Sequence, residues 1–363
     1  MRFAVVFLTV LLLTQLVILG INIYEDEEGR MWRGYPRERW MAAKMLEGYD
    51  IAGRQDFRIR ALVTETIGQR LAAPEIVVLG SSRALLVGEK MLRESSVSNN
   101  AISSARLVHY FSVLGQYAQR GMTPKVVLIG ADPWIFKEER FVIWPMEEGV
   151  RTLAPQLRID PKRMGMNDAL HWTGYFSGLK AWKGLTSPDS VENECGLDQL
   201  RFDDASPCAV RRHDGSLKYP EDQITLSPES IAAEVLRSAR GRMHSYDGYR
   251  ELDAERIQAF RQFLIYLQSK GIRIAIFLAP YHPLVEEHQQ GRRDWKLTQD
   301  AEASIRGIAQ PLNIPVLGAY SAAKAQCAAS EFYDGIHAKE SCIQRILSPF
   351  IDHGARAETG SVR

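Results

Sequence analysis

Two short apolar runs each end in a glycine: EIVVLG at residues 75–80 and KVVLIG at residues 125–130. Runs of this length, rich in β-branched residues, predict strands buried on both faces, since a strand inside a parallel sheet has no polar side to show. Between them lie a helix-like segment from about Ala84 to Glu94 and SVSNNAIS, residues 96–103, which has room for a short second strand. Ser104 to Arg120 is helical by pattern, with Leu107, Phe111, Leu114 and Ala118 on one face and Gly121 as the stop. Strand and helix in alternation predict a parallel α/β sheet.

The rhythm breaks between about residues 136 and 249, where Trp144, Trp172, Trp182 and loop-like stretches such as YPEDQITLSPES read as an inserted lid. It resumes at Asp253, which starts a helix striped by Ile257, Phe260, Leu264 and Leu267 and stopped by Gly271. RIAIFLAP (273–280) is the next buried strand. A helical stretch from about Thr298 to Ala309, a last strand in NIPVLGA (313–319) and a closing helix over roughly 338–352 complete the domain. Residues 353–363 read as a flexible tail.

Phe3 to Ile23 carries no charge, and at 1.5 Å per residue such a run spans a bilayer core of ~30 Å. It exceeds the usual ~7–15 residue apolar region of a cleaved leader, and no A-x-A-like site follows, so residues 1–24 are expected to be a transmembrane signal anchor. Arg2 precedes the span, while Glu25, Asp26, Glu27 and Glu28 follow it. The positive flank places the rest of the chain on the extracytoplasmic side. Residues 25–72 then read as a juxtamembrane stalk with a helix near 56–71, and residues 73–352 as the α/β domain.

Lys and Arg total 45 against 44 Asp and Glu, a net charge of +1, and no long basic run appears, which argues against a nucleic-acid partner. The four cysteines, Cys195, Cys208, Cys327 and Cys342, include no C-x-x-C pair, which weakens zinc-ribbon and thioredoxin readings. Two sequence-local disulfides, Cys195–Cys208 and Cys327–Cys342, suit an oxidising compartment, although four cysteines permit three connectivities. Four buried thiols are the other reading. No metal or cofactor is expected.

In an open parallel sheet the functional residues stand at the carboxyl ends of the strands. Those positions here are Gly80-Ser81-Ser82-Arg83, Asn100 with Ser103-Ser104, Gly130-Ala131-Asp132-Pro133, Pro280-Tyr281-His282-Pro283 and Asp334-Gly335-Ile336-His337. A serine on a strand-to-helix turn, with Asp and His from a later loop, supplies the parts of an acyl-transfer site: the hydroxyl needs a base, and the base needs a carboxylate to hold its tautomer. A serine at such a junction also serves as a helix cap, and Asp334 and His337 as turn residues. His282, beside Pro283, reads as a loop-packing residue first and a substrate-binding one second. The tryptophans of the insertion either stack on sugar rings or pack its own core.

VVLGSSR and the terminal DGIH resemble the nucleophile and D-x-x-H blocks of the SGNH (GDSL-like) hydrolase superfamily, over residues 75–132 and 272–352. The single anchor and GSSR-type block are similar to the D-alanyl transfer and polysaccharide O-acetylation proteins of bacterial envelopes. The resemblance implies a three-layer α/β/α, flavodoxin-like parallel sheet with an inserted lid. It also implies Ser82 as nucleophile, His337 as general base and acid, and Asp334 as its orienting partner. Ser104 stands where the family has an oxyanion-binding glycine, and Asp132 where it has an asparagine donor; an ionised carboxylate there opposes a developing oxyanion. The implied partners are an envelope polysaccharide, an acyl donor and a membrane acyltransferase supplying it. A catalytically inactive binding or assembly component of an envelope polysaccharide system is the alternative, supported by Asp132 and the missing glycine.

Overall fold

The computed structural model describes residues 2–25, 34–93, 96–138, 145–164, 166, 195–196 and 198–359. The expectations for Trp144, Trp172 and Trp182 lie outside them.

Five parallel strands form the main sheet: β2 (Ile76–Leu79), β3 (Val97–Asn99), β4 (Val126–Gly130), β8 (Arg273–Leu278) and β9 (Val316–Gly318), in the order β3-β2-β4-β8-β9. Their registers pair Ile76 with both Val97 and Val126, Val127 with Ile274, and Phe277 with Leu317. Side chains alternate across the sheet as a period of two requires. Val77, Leu79, Val127, Ile129, Ile274 and Ile276 enter one core; Ile76, Val78, Val126, Leu128, Ala275 and Phe277 enter the other. Both faces are covered, which is why the strands read as unbroken apolar runs.

Helices α3 (Ile59–Gln69), α4 (Leu107–Gln119), α5 (Glu147–Leu157), α6 (Pro228–Ala239), α7 (Ala254–Ser269), α8 (Pro283–Gln289) and α9 (Arg293–Ala309) contribute to the first core. The second is closed chiefly by α10 (Glu340–Thr359), through Cys342, Ile343, Ile346 and Leu347. The helix starts follow local chemistry: Asp253 accepts from the Arg256 N–H at 2.9 Å to cap α7, and Ser227 accepts from the Ser230 N–H at 3.2 Å to cap α6, with Pro228 at the first helical position.

Four sequence expectations change. The stretch expected as a stalk is folded: α2 (Pro36–Leu46), β1 (Asp50–Ala52) and α3 enclose a small core of Met41, Ala42, Met45, Ile51, Phe57 and Leu62, while Val63 and Ile67 join the main core. The inserted region also carries more than a lid. Its strands β5 (Gln199–Arg201), β6 (Val210–Arg211) and β7 (Leu217–Lys218) join β1 in an antiparallel sheet of order β5-β1-β6-β7. Strands of two or three residues are too short to carry a readable period. The expected helix over 84–94 divides into a 3₁₀ turn at Ser82–Ala84 and one α-helical turn at Glu89–Leu92, and helix α10 continues to Thr359.

At the N-terminus, α1 (Arg2–Glu25) contains a 23-residue span whose most apolar 18-residue window has a mean hydropathy of 2.7 and is not buried in the protein, long and apolar enough to cross a membrane.

Candidate active site

The two glycines that close β2 and β4 permit a close approach. A Cβ on Gly80 would lie 2.5 Å from the Ala84 Cβ, and one on Gly130 would lie 2.8 Å from the Phe277 ring and 3.0 Å from the Ala84 Cβ. The chain leaving β2 can therefore turn tightly over the end of β4. Ser81 caps that turn, accepting from the Arg83 N–H at 3.2 Å, and Ser82 begins it with its side chain partly open to solvent. The position is the switch point of the sheet, where β2 and β4 lead their connections in opposite directions.

Ser82 Oγ lies 2.8 Å from His337 Nε2, and His337 Nδ1 lies 2.7 Å from Asp334 Oδ2. The other carboxylate oxygen, Asp334 Oδ1, accepts from the backbone N–H groups of Ile336 and His337, both at 2.8 Å. Burial works against the charge on Asp334, but the hydrogen bond from His337 and the two N–H groups hold its carboxyl below the ordinary range. An ionised Asp334 can only accept, so Nδ1 carries the proton and the free lone pair of Nε2 faces the serine hydroxyl. The structure thus brings Ser82, His337 and Asp334 into one hydrogen-bonded chain from segments 252 or more residues apart.

Ser104 lies in an exposed turn closed by the Ala105 N–H to the Ile102 carbonyl at 2.8 Å, with φ at +55°. Its N–H and that of Ser82 have no hydrogen-bond partner among the described residues. Trp134 fixes this turn from below, donating its indole N–H to the Ala105 carbonyl at 3.0 Å.

Asp132 is buried, and its Oδ1 accepts from Arg83 Nη1 at 3.1 Å. Burial pushes its carboxyl up from the ordinary range, and Arg83 offsets only part of that. Arg83 is itself buried. Its Nε donates to the Ile336 carbonyl at 3.1 Å and its Nη2 to the Ala279 carbonyl, while its guanidinium stacks 4.3 Å from the centre of the Tyr281 ring. Asn100 is not brought to the triad: its amide donates to the Ser98 carbonyl and the Tyr117 hydroxyl, both at 3.2 Å, inside the core. His282 is buried and caps α8, accepting from the Leu284 N–H at 3.1 Å, while its own N–H holds the Gly335 carbonyl at 3.0 Å. It supports the loop that carries Asp334 and His337.

Two residues of the insertion flank the site without any motif to announce them. The Tyr219 ring lies 6.2 Å from that of His337 and 4.4 Å from that of Tyr333. His244 Nε2 lies 3.4 Å from Ser104 Oγ, with its ring edge-on to Trp134 at 5.7 Å. Partial burial, then the neighbouring His337, lower the His244 pKa. The disulfides are Cys195–Cys208 and Cys327–Cys342, and the second brackets the Asp334–His337 loop. Among the described residues no group of three or more His, Cys, Asp or Glu is placed to hold a metal ion.

Comparison of the chain with protein-family models and with curated protein sequences finds no match.

Proposed function

We propose that the chain is a membrane-anchored serine acyl-ester hydrolase or O-acyltransferase of SGNH (GDSL-like) type, acting on cell-envelope polysaccharide through an acyl-serine intermediate. The observation that carries this reading is the Ser82–His337–Asp334 chain, with contacts of 2.8 and 2.7 Å. The five-stranded parallel sheet, with Ser82 at its switch point and helices on both faces, suits the flavodoxin-like α/β/α architecture of that superfamily. Two disulfides and an N-terminal span preceded by Arg2 suit a domain held on the extracytoplasmic side.

Ser82 Oγ attacks the acyl carbonyl as its proton passes to His337 Nε2, with Asp334 stabilising the imidazolium. The N–H groups of Ser82 and Ser104 receive the oxyanion, each such donor lowering the barrier by about 3–4 kcal/mol. His337 returns the proton to the leaving oxygen, and the acyl-serine forms. Water, or a sugar hydroxyl deprotonated by the same imidazole, then takes the acyl group and regenerates Ser82. A partner membrane acyltransferase would supply the acyl group in the transferase case.

Asp132 favours a second reading, a catalytically inactive binding or assembly component, because an acid stands where a neutral donor serves an oxyanion. Its engagement by Arg83 through Oδ1 supports the catalytic reading, since the guanidinium offsets part of any charge the buried carboxyl carries. Incubating the full chain with p-nitrophenyl acetate, followed by peptide mass spectrometry, distinguishes the two. An acetyl group on the Ser82 peptide, absent in Ser82→Ala, is the catalytic outcome. An unmodified peptide in folded protein that also releases p-nitrophenolate no faster than Ser82→Ala is the outcome of the binding reading.

A further inference from the structure

A cavity of about 220 Å³ meets the triad at Asp334, between α6, the chain that follows it, α8 and the start of the loop that carries His337. Its deeper wall is mostly apolar: Ala239, Met243, Val285 and the Tyr281 ring, with half-buried Ile336 beside them and one buried amide, Gln289, tied to the Ala239 and Gly241 carbonyls. Polar groups stand toward solvent, among them His244, the residue that reaches Ser104. The cavity is therefore bounded by the triad carboxylate and by the neighbour of an oxyanion donor. It is smaller than the ~300 Å³ lower end of ordinary ligand pockets and equals about seven water volumes at ~30 Å³ each, space for a chain of several carbons.

We propose that this cavity is the acyl pocket of the site, and that the group transferred is a short aliphatic acyl chain longer than acetyl. The inference rests on the serine-acyl reading above. An apolar wall of this size stabilises each methylene that leaves water, so the reaction at Ser82 accelerates about fourfold for each one added until the pocket is full. Polysaccharide and water remain on the solvent side, where His244 and Ser104 are exposed.

The test is a series of fluorophosphonates with methyl, propyl, pentyl and heptyl chains on phosphorus, applied to the full chain in lipid nanodiscs. In each reaction the Ser82 Oγ–P bond forms, the P–F bond breaks, fluoride leaves and the serine proton passes to His337, so no acceptor is needed. The expected result is a rate constant that rises about fourfold per methylene from methyl upward and then falls once the chain outgrows the cavity. Val285→Phe, which fills the pocket, shifts the optimum to a shorter chain, and Met243→Ala, which enlarges it, shifts the optimum to a longer one. Either shift supports the assignment, so the test survives the loss of one variant to misfolding. Modification of Ser82 at a rate independent of chain length, unchanged in both variants, overturns the pocket and leaves the nucleophile standing. No modification by any member overturns the nucleophile, and the pocket with it.

Discussion

Arg83 Nε donates to the Ile336 carbonyl at 3.1 Å, joining the residue after Ser82 to the residue before His337. The same guanidinium pairs with Asp132 and bonds the Ala279 carbonyl, so one buried cation ties the ends of β2, β4 and β8 to the histidine loop. The 2.8 Å contact between Ser82 and His337 is held from beneath by this tie.

Arg83→Ala leaves Asp132 buried without its cation, and breaking a buried pair from one side costs about 3–5 kcal/mol. Denaturant unfolding is expected to show a loss of that size. Arg83→Lys retains the charge but not the planar fork that reaches three acceptors, and it should recover only part of the loss. Full stability in Arg83→Ala would show that this guanidinium does not tie the strand ends to the histidine loop.

The Cys327–Cys342 bond closes a loop of sequence separation 15 around Asp334 and His337. A loop of about this length corresponds to about 3 kcal/mol of stabilisation through the unfolded chain. The Cys327→Ser, Cys342→Ser double variant is expected to lose that stability and to slow the acetylation of Ser82. The Cys195→Ser, Cys208→Ser variant should lose stability with a smaller effect on Ser82, since its loop does not carry the triad.

His213 bridges Asp50 on β1, at 2.8 Å, and Glu89 in the segment after the Ser82 turn, at 3.1 Å. The hydrogen bond to Asp50, opposed by partial burial and aided by Glu89, raises its pKa to about 9. A histidine raised in the folded state contributes stability that is full below its unfolded value, about 6.5, and lost as pH rises through about 9. The melting temperature of the wild type should therefore fall between pH 6.5 and 9.5 by more than that of His213→Gln. Parallel curves would show that the bridge does not tie β1 to the Glu89–Leu92 turn.

Much of the architecture was legible because parallel strands buried on both faces leave an unmistakable trace. EIVVLG and KVVLIG became β2 and β4, with glycines needed where Ala84 crowds both strand ends. Ser82 stood at the end of a strand and the D-x-x-H segment between the last strand and the closing helix, positions that an open parallel sheet brings to the same edge. The second sheet was not legible, since its strands are two or three residues long and gather segments as distant as Asp50 and Lys218. Nor was the engagement of Asp132 by Arg83: a buried arginine has no local pattern, and its partners come from three later segments. Tyr219 and His244 were missed for the same reason, being placed beside the site only by the folding of the insertion.

In the triad itself, Asp334 sets the tautomer of His337, so Asp334→Asn should leave Ser82 in place but supply the wrong proton at Nδ1. The expected loss is roughly 10⁴-fold in the acylation rate with little change in stability. A loss below tenfold would show that the carboxylate is not acting on the histidine.

Labelling by a fluorophosphonate bears directly on Ser82 as a nucleophile, because it requires a serine hydroxyl activated by its neighbours and nothing else. The full chain is expected to label on Ser82, with the signal abolished in Ser82→Ala and reduced by orders of magnitude in His337→Ala. Wild-type protein that is folded yet unlabelled, or labelling that persists in Ser82→Ala, would contradict it.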